Sequence, residues 1–133
     1  MKNYVFDSYA IIAYLENESG ASKISKILSF AFDKDINIFL CIVNWGEVYY
    51  ITLREGGQQA CNIAINAIQG LPITIVDVDM DLTKQAATFK SKFRMSYSDC
   101  FAAALSKKLN ATLVTGDREF KQVEKEVSIH WID

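Results

Sequence analysis

Histidine occurs once in this 133-residue chain, proline once and cysteine three times. The lone histidine, His130, falls in the last strand candidate and carries no evident chemistry. Cys41, Cys61 and Cys100 are odd in number and form no C-x-x-C pair. They read as small buried hydrophobes of a reducing, cytoplasmic setting, without disulfide or zinc use. No apolar run reaches the ~18 residues of a membrane helix. No charged segment followed by an apolar stretch and a small-residue cleavage site opens the chain, so neither a span nor a signal peptide is expected. The formal net charge of −2 offers no basic excess, which argues weakly against a polyanionic partner. No linker, repeat or low-complexity segment is present.

What is abundant is apolar residues, 50% of the chain, enough for a single domain over 1–133 with a sizeable core. Short apolar runs alternate with amphipathic ones. The strand candidates are YVF (4–6), IFLC (38–41), ITIV (73–76), TLVT (112–115) and SIHWI (128–132). Between them, Ile24, Ile27, Leu28 and Ala31 share a helical face, as do Leu82, Ala86, Phe89 and Phe93. Ala102, Leu105 and Leu109 form a third stripe, and its alanines permit close approach to a sheet. A broad apolar stripe over 57–70, with Ala60, Ile63, Ala64 and Ile68, suggests a subunit contact. Strands separated by helices predict crossover units, hence an α/β three-layer α/β/α sandwich with a mostly parallel sheet.

Four acids share one address in such a fold. Asp7 ends the first strand, Glu47 and Asp99 lie where helices begin, and Asp117 stands just past TLVT. Sites in open parallel sheets form outside the carboxyl ends of the strands. Helix capping explains any one of these acids taken singly. Asn44 with Glu47 and Ser96 with Asp99 have capping-box spacing, and Ser8 reads as a helix cap. Capping does not explain why acids, and not neutral caps, stand at four starts that converge. Clustered carboxylates repel, and a hard divalent cation such as Mg²⁺ or Mn²⁺ relieves that repulsion.

The segments YVFDSYAIIAYL, VNWGEVYYIT, MSYSDCFAAALSKKLNATLVTGDREFKQV and SIHWID resemble the PIN domain, and within it the VapC-type ribonuclease toxins. The resemblance implies a parallel sheet whose first and fourth strands are neighbours. It also implies an acidic quartet of Asp7, Glu47, Asp99 and Asp117, with Thr115 in support, holding one or two Mg²⁺ or Mn²⁺ ions. The implied activity is metal-dependent hydrolysis of RNA phosphodiesters. The implied partners are a VapB-type antitoxin and a second copy of the chain. Two bound Mg²⁺ ions would add four positive charges and turn the formal charge from −2 to +2, so the acidic composition does not exclude RNA. Lys90, Lys92, Arg94, Arg118 and Lys121 flank the acids in sequence and are candidates for phosphate contacts, against an ordinary solvated face. Tyr9, Tyr49, Tyr50 and Tyr97 are candidates for base stacking, though packing accounts for most of them.

Three rivals stay open at this stage: a housekeeping RNA-processing nuclease, a non-catalytic scaffold of the same fold binding RNA or protein, and a phosphotransferase. The last fits poorly, because Asp7-Ser8-Tyr9 lacks the DxD of haloacid-dehalogenase-type enzymes. A nucleotide-binding module would want a glycine-rich loop after the first strand, and none is present.

Overall fold

The computed structural model describes residues 2–133. Five strands, β1 (Lys2–Phe6), β2 (Ile36–Cys41), β3 (Thr74–Val76), β4 (Thr112–Thr115) and β5 (Ile129–Trp131), form one sheet in the order β3-β2-β1-β4-β5. Every pairing is parallel. Helices α1 (Ser8–Leu15), α2 (Ala21–Phe32), α3 (Ile42–Gln69), α4 (Met80–Lys92) and α5 (Tyr97–Lys108) pack around it, and a 3₁₀ turn spans Arg118–Val123. Each of the five strand candidates contains a strand, and the three core stripes run along α2, α4 and α5, with Phe93 and Leu109 just past the ends of their helices.

The strands read as unbroken apolar runs because both faces are covered. Successive residues of β1 enter opposite cores: Val5 packs with Leu113, Ala103 and Phe120 under α4 and α5, while Phe6 packs with Ile24, Leu40 and Val114 under α1 and α2. A fully buried side chain of this size stabilises the fold by about 1.5–3 kcal/mol. The cysteines are free and buried, as expected. Asp79 caps α4 by accepting from the Leu82 amide at 2.8 Å, and its first turn is further tied by Lys108, which meets Asp79 and Asp81 at 3.6 and 3.4 Å.

Three local expectations are corrected. The Asn44–Glu47 capping box does not form: β2 runs directly into α3 with Cys41 at the cap, so Asn44 lies inside the helix and is fully buried. Ser8 is not a cap, since Asp7 takes that position and Ser8 is the first helical residue. The stripe of 57–70 continues the helix begun at Ile42, interrupted at Gly57 (φ 82°), whose left-handed backbone suits a residue without Cβ. Of that segment only Cys61 and Ile68 are buried, and Ile63 is 65% exposed.

The sheet order places the carboxyl ends of β1 and β4 side by side, with Phe6 opposite Val114. This is the point where the chain's winding reverses direction, the position at which open α/β sheets leave a crevice.

Candidate active site

Asp7 leaves β1 at that crevice and is 1% exposed. Its Oδ1 accepts from the Ala10 amide at 2.9 Å, which caps α1, and its Oδ2 accepts from the Thr115 hydroxyl at 2.5 Å. Thr115, fully buried at the end of β4, also accepts from the Asp117 amide at 3.0 Å. One hydroxyl therefore joins the ends of two neighbouring strands. The Tyr9 ring rests against Gly116 between them, where a Cβ would overlap it unless the ring shifted.

Asp99 sits in the first turn of α5, 7% exposed, with its amide donating to the Ser96 cap at 3.1 Å. Glu47 arrives from the second turn of α3, where the Ser8 hydroxyl donates to Oε1 at 2.5 Å and the Ser98 hydroxyl to Oε2 at 3.0 Å. Asn44, one helical turn earlier, donates to the Ser98 carbonyl at 3.1 Å and ties α3 to the start of α5. Its Oδ1 is buried without a partner. Carboxylate oxygens of Asp99, Asp117 and Glu119 all lie within 4.8 Å of one another. Together with Asp7, Glu47 and Glu18 these acids line an open cavity of about 410 Å³ to which no lysine or arginine contributes.

The electrostatic consequence is strong. Burial, opposed by the Thr115 and Ala10 hydrogen bonds and reinforced by Asp117 and Glu47, pushes the Asp7 carboxyl from 3.8 up to about 7. Burial, then the charges of Asp117 and Asp7, pushes Asp99 up to about 8. The protein leaves these charges uncompensated, and every donor on the cavity wall is oxygen. Such a donor set fits a hard divalent cation of the Mg²⁺, Mn²⁺ or Ca²⁺ type and disfavours soft metals.

A family model described as PIN domain matches residues 4–126. The chain belongs to the PIN domain family. No curated protein matches the sequence. Solved structures share the fold of this PIN domain at low identity. VapBC from Salmonella typhimurium, bound to DNA, matches with a TM-score of 0.78 and 12% identity over 100% of both chains. VapBC2 from Rickettsia felis, bound to a fragment of its promoter DNA, gives 0.77 and 14%, covering 96% of this chain and 97% of that one. VapC20 from Mycobacterium tuberculosis, described as a sarcin–ricin loop cleaving toxin, gives 0.72 and 15% over 90% and 94%.

The four acids marked in the sequence thus lie around one cavity of the PIN domain, with Thr115 between two of them. Sequence reasoning missed Glu119, Ser98 and Asn44. The expected basic flank does not line the cavity. Lys90 donates to the Met95 carbonyl at 2.7 Å and pins the loop before α5. Lys92 lies with Lys107 and Glu126 beside the far end of α5, away from the acids. The Arg94 amide is bound by Gln122. Lys121 is exposed on the 3₁₀ turn. Arg118 stacks 4.8 Å above Trp131 and donates to the Asp133 carbonyl. Of the tyrosines only Tyr9 reaches the cavity, where its hydroxyl donates to Asp133. Tyr49 packs on Trp45 at 5.5 Å, Tyr97 on Phe101 at 5.0 Å, and Tyr50 lies under Arg54.

Proposed function

We propose that this chain is a divalent-metal-dependent endoribonuclease acting as the toxin of a VapBC-type pair, with residues 1–133 forming one nuclease domain. The observation that carries the reading is the meeting of Asp7, Glu47, Asp99 and Asp117, from four separate segments, around a cavity to which no cation among the described residues contributes. Asp7, Asp99 and Asp117 hold the cation, and Glu119 extends the oxygen donor set. When bound, one or two Mg²⁺ or Mn²⁺ ions supply the Lewis acidity that activates water and stabilises charge on a phosphodiester. Glu47, gripped on both oxygens by Ser8 and Ser98, is fixed in direction and suits the orienting of the attacking water. Thr115 sets the Asp7 carboxylate and the Asp117 backbone at once. The openness of the cavity suits a polymer strand better than a small molecule.

The toxin assignment draws its support from the fold shared with the VapBC complexes and with a toxin described as cleaving the sarcin–ricin loop. A VapB-type antitoxin and a cytoplasmic location follow from the same reading. Among the described residues no helix is long and apolar enough to cross a membrane. The exposed apolar side of α3 around Ile63 supports a homodimer. The test is cleavage of RNA with Mg²⁺ or Mn²⁺, its loss with EDTA, and its loss in a folded Asp99→Asn variant. Growth arrest on expression, relieved by the product of a neighbouring gene, separates a toxin from a processing nuclease. Cleavage at the wild-type rate by Asp99→Asn would sink the metal-site assignment, and a folded wild type that cuts no RNA with either metal would favour a scaffold role.

A further inference from the structure

The only charged side chains lining the cavity, among the described residues, are acids, and the lysines expected to flank it do not line it. Two lysines unpaired among the described residues stand together on α2. Lys23, Lys26 and Phe30 fall at i, i+3 and i+7, one exposed stripe of that helix. The stripe borders a second open cavity, of about 320 Å³, lined also by Tyr4 and His130 of the sheet and by no carboxylate. Lys2 stands 5.1 Å over the Tyr4 ring. Lys2, Lys23 and Lys26 form no ion pair among the described residues. The field they create is felt at His130, whose imidazole is held below its usual value by partial burial, then by Lys23 and Lys2. Phe30 is 45% exposed and borders the same cavity as Ile27, Ile36 and Trp131.

The start of α2 lies near the acidic cavity, although the two cavities share no lining residue. Gly20, at the start of α2, abuts the Ile132 carbonyl, and the neighbouring Asp133 accepts from both Ser19 and the cavity's Tyr9. Those two hydrogen bonds, then the charges of Arg118 and Lys23, hold the Asp133 carboxyl below its usual range. From there α2 descends toward β2, carrying Lys26 and then Phe30 away from the cavity.

We propose that the α2 face of Lys23, Lys26 and Phe30, with Lys2, Tyr4 and His130 beside it, binds single-stranded RNA leading away from the acidic cavity. The inference rests on the nuclease reading. Lysines track the phosphates, and the exposed Phe30 ring offers a base a stacking platform, a combination suited to an unpaired strand. A duplex would present phosphates but no free base face.

The test uses fluorescence anisotropy with a labelled single-stranded RNA of about twelve nucleotides, in an Asp7→Asn background with Mg²⁺ so that the strand stays uncut. The Lys23→Gln/Lys26→Gln pair should bind about tenfold more weakly. Its dependence of log affinity on log salt should flatten by about 1.4, at about 0.7 for each phosphate no longer neutralised. Phe30→Ala should bind about fivefold more weakly, or worse. A Lys84→Gln/Lys125→Gln pair, elsewhere on the surface, should bind as the background does. Undiminished affinity and salt slope in the α2 variants, with binding intact in the background, would overturn this inference and leave the nuclease reading standing. Preference for duplex RNA over the single strand would overturn it too. Binding of no RNA by either the background or the wild type would overturn both.

Discussion

Replacing Asp7 by asparagine should make the metal-free protein more stable while abolishing its activity. The Asp7 carboxyl is buried and its pKa is raised from 3.8 to about 7. A group whose folded pKa is raised holds its proton more tightly when folded. The stability it contributes is fully present below about pH 4 and is lost as pH rises through about 7. At about 1.4 kcal/mol per pH unit, the burden of ionised Asp7 above that range is about 4 kcal/mol. Asp99, raised to about 8 for the same first reason, adds to the slope without simple additivity, because each charge raises the other. Asparagine keeps the acceptor for the Ala10 amide and can donate to Thr115 Oγ1. Urea denaturation followed by circular dichroism, in EDTA, should find Asp7→Asn about 2–4 kcal/mol more stable than wild type at about pH 8, with a flatter profile down to about pH 5. Mg²⁺ should stabilise the wild type and not the variant. A variant less stable than wild type at the higher pH, with an unchanged slope, would refute the claim that this carboxylate is folded at a cost for the sake of a cation.

Other parts of the site make separate demands. The Ser8→Ala/Ser98→Ala pair removes both donors to Glu47 and should leave a folded protein whose kcat for RNA falls about 10–100-fold, as positioning partners do near metal sites. Asn44→Ala deletes a buried tether to the Ser98 carbonyl and should lower stability by about 1–3 kcal/mol in a urea titration. Gly116→Ala drives a methyl group into the Tyr9 ring and should cost about 1–3 kcal/mol, read as a lower melting temperature together with a weakened RNA cleavage rate. Phe6→Ala, far from the chemistry but central to the α1 and α2 core, should cost about 3–5 kcal/mol and leave metal affinity intact wherever the protein remains folded.

The strands were legible because they are buried on both faces, so Val5 and Phe6 had to be apolar in succession. The convergence of the four acids was legible because a parallel sheet fixes where its strands end. What escaped were features set by rotation about a helix axis. Asn44 looked like a cap because its spacing to Glu47 fits one, but β2 passes into α3 without a loop, and the residue enters the helix and turns inward toward Ser98. Ser98 is separated from Glu47 by 51 positions, so only the packing of α3 against α5 brings them together. Glu119 had a signal, an acid two residues past Asp117 in a tight turn, that attention to strand ends overlooked. Of the lysines flanking the acids in sequence, Lys90 is spent on the Met95 carbonyl and Lys92 lies beside Lys107 and Glu126, so neither lines the cavity.

The most direct test of the metal site is a calorimetric titration of Mn²⁺ into the purified chain near neutral pH, repeated with Asp99→Asn and Asp117→Asn. The expected result is saturable binding of one or two ions by the wild type, with protons released as Asp7 and Asp99 ionise, and loss of that binding in both variants. Absence of binding by the folded wild type, or equal binding by the variants, would contradict it.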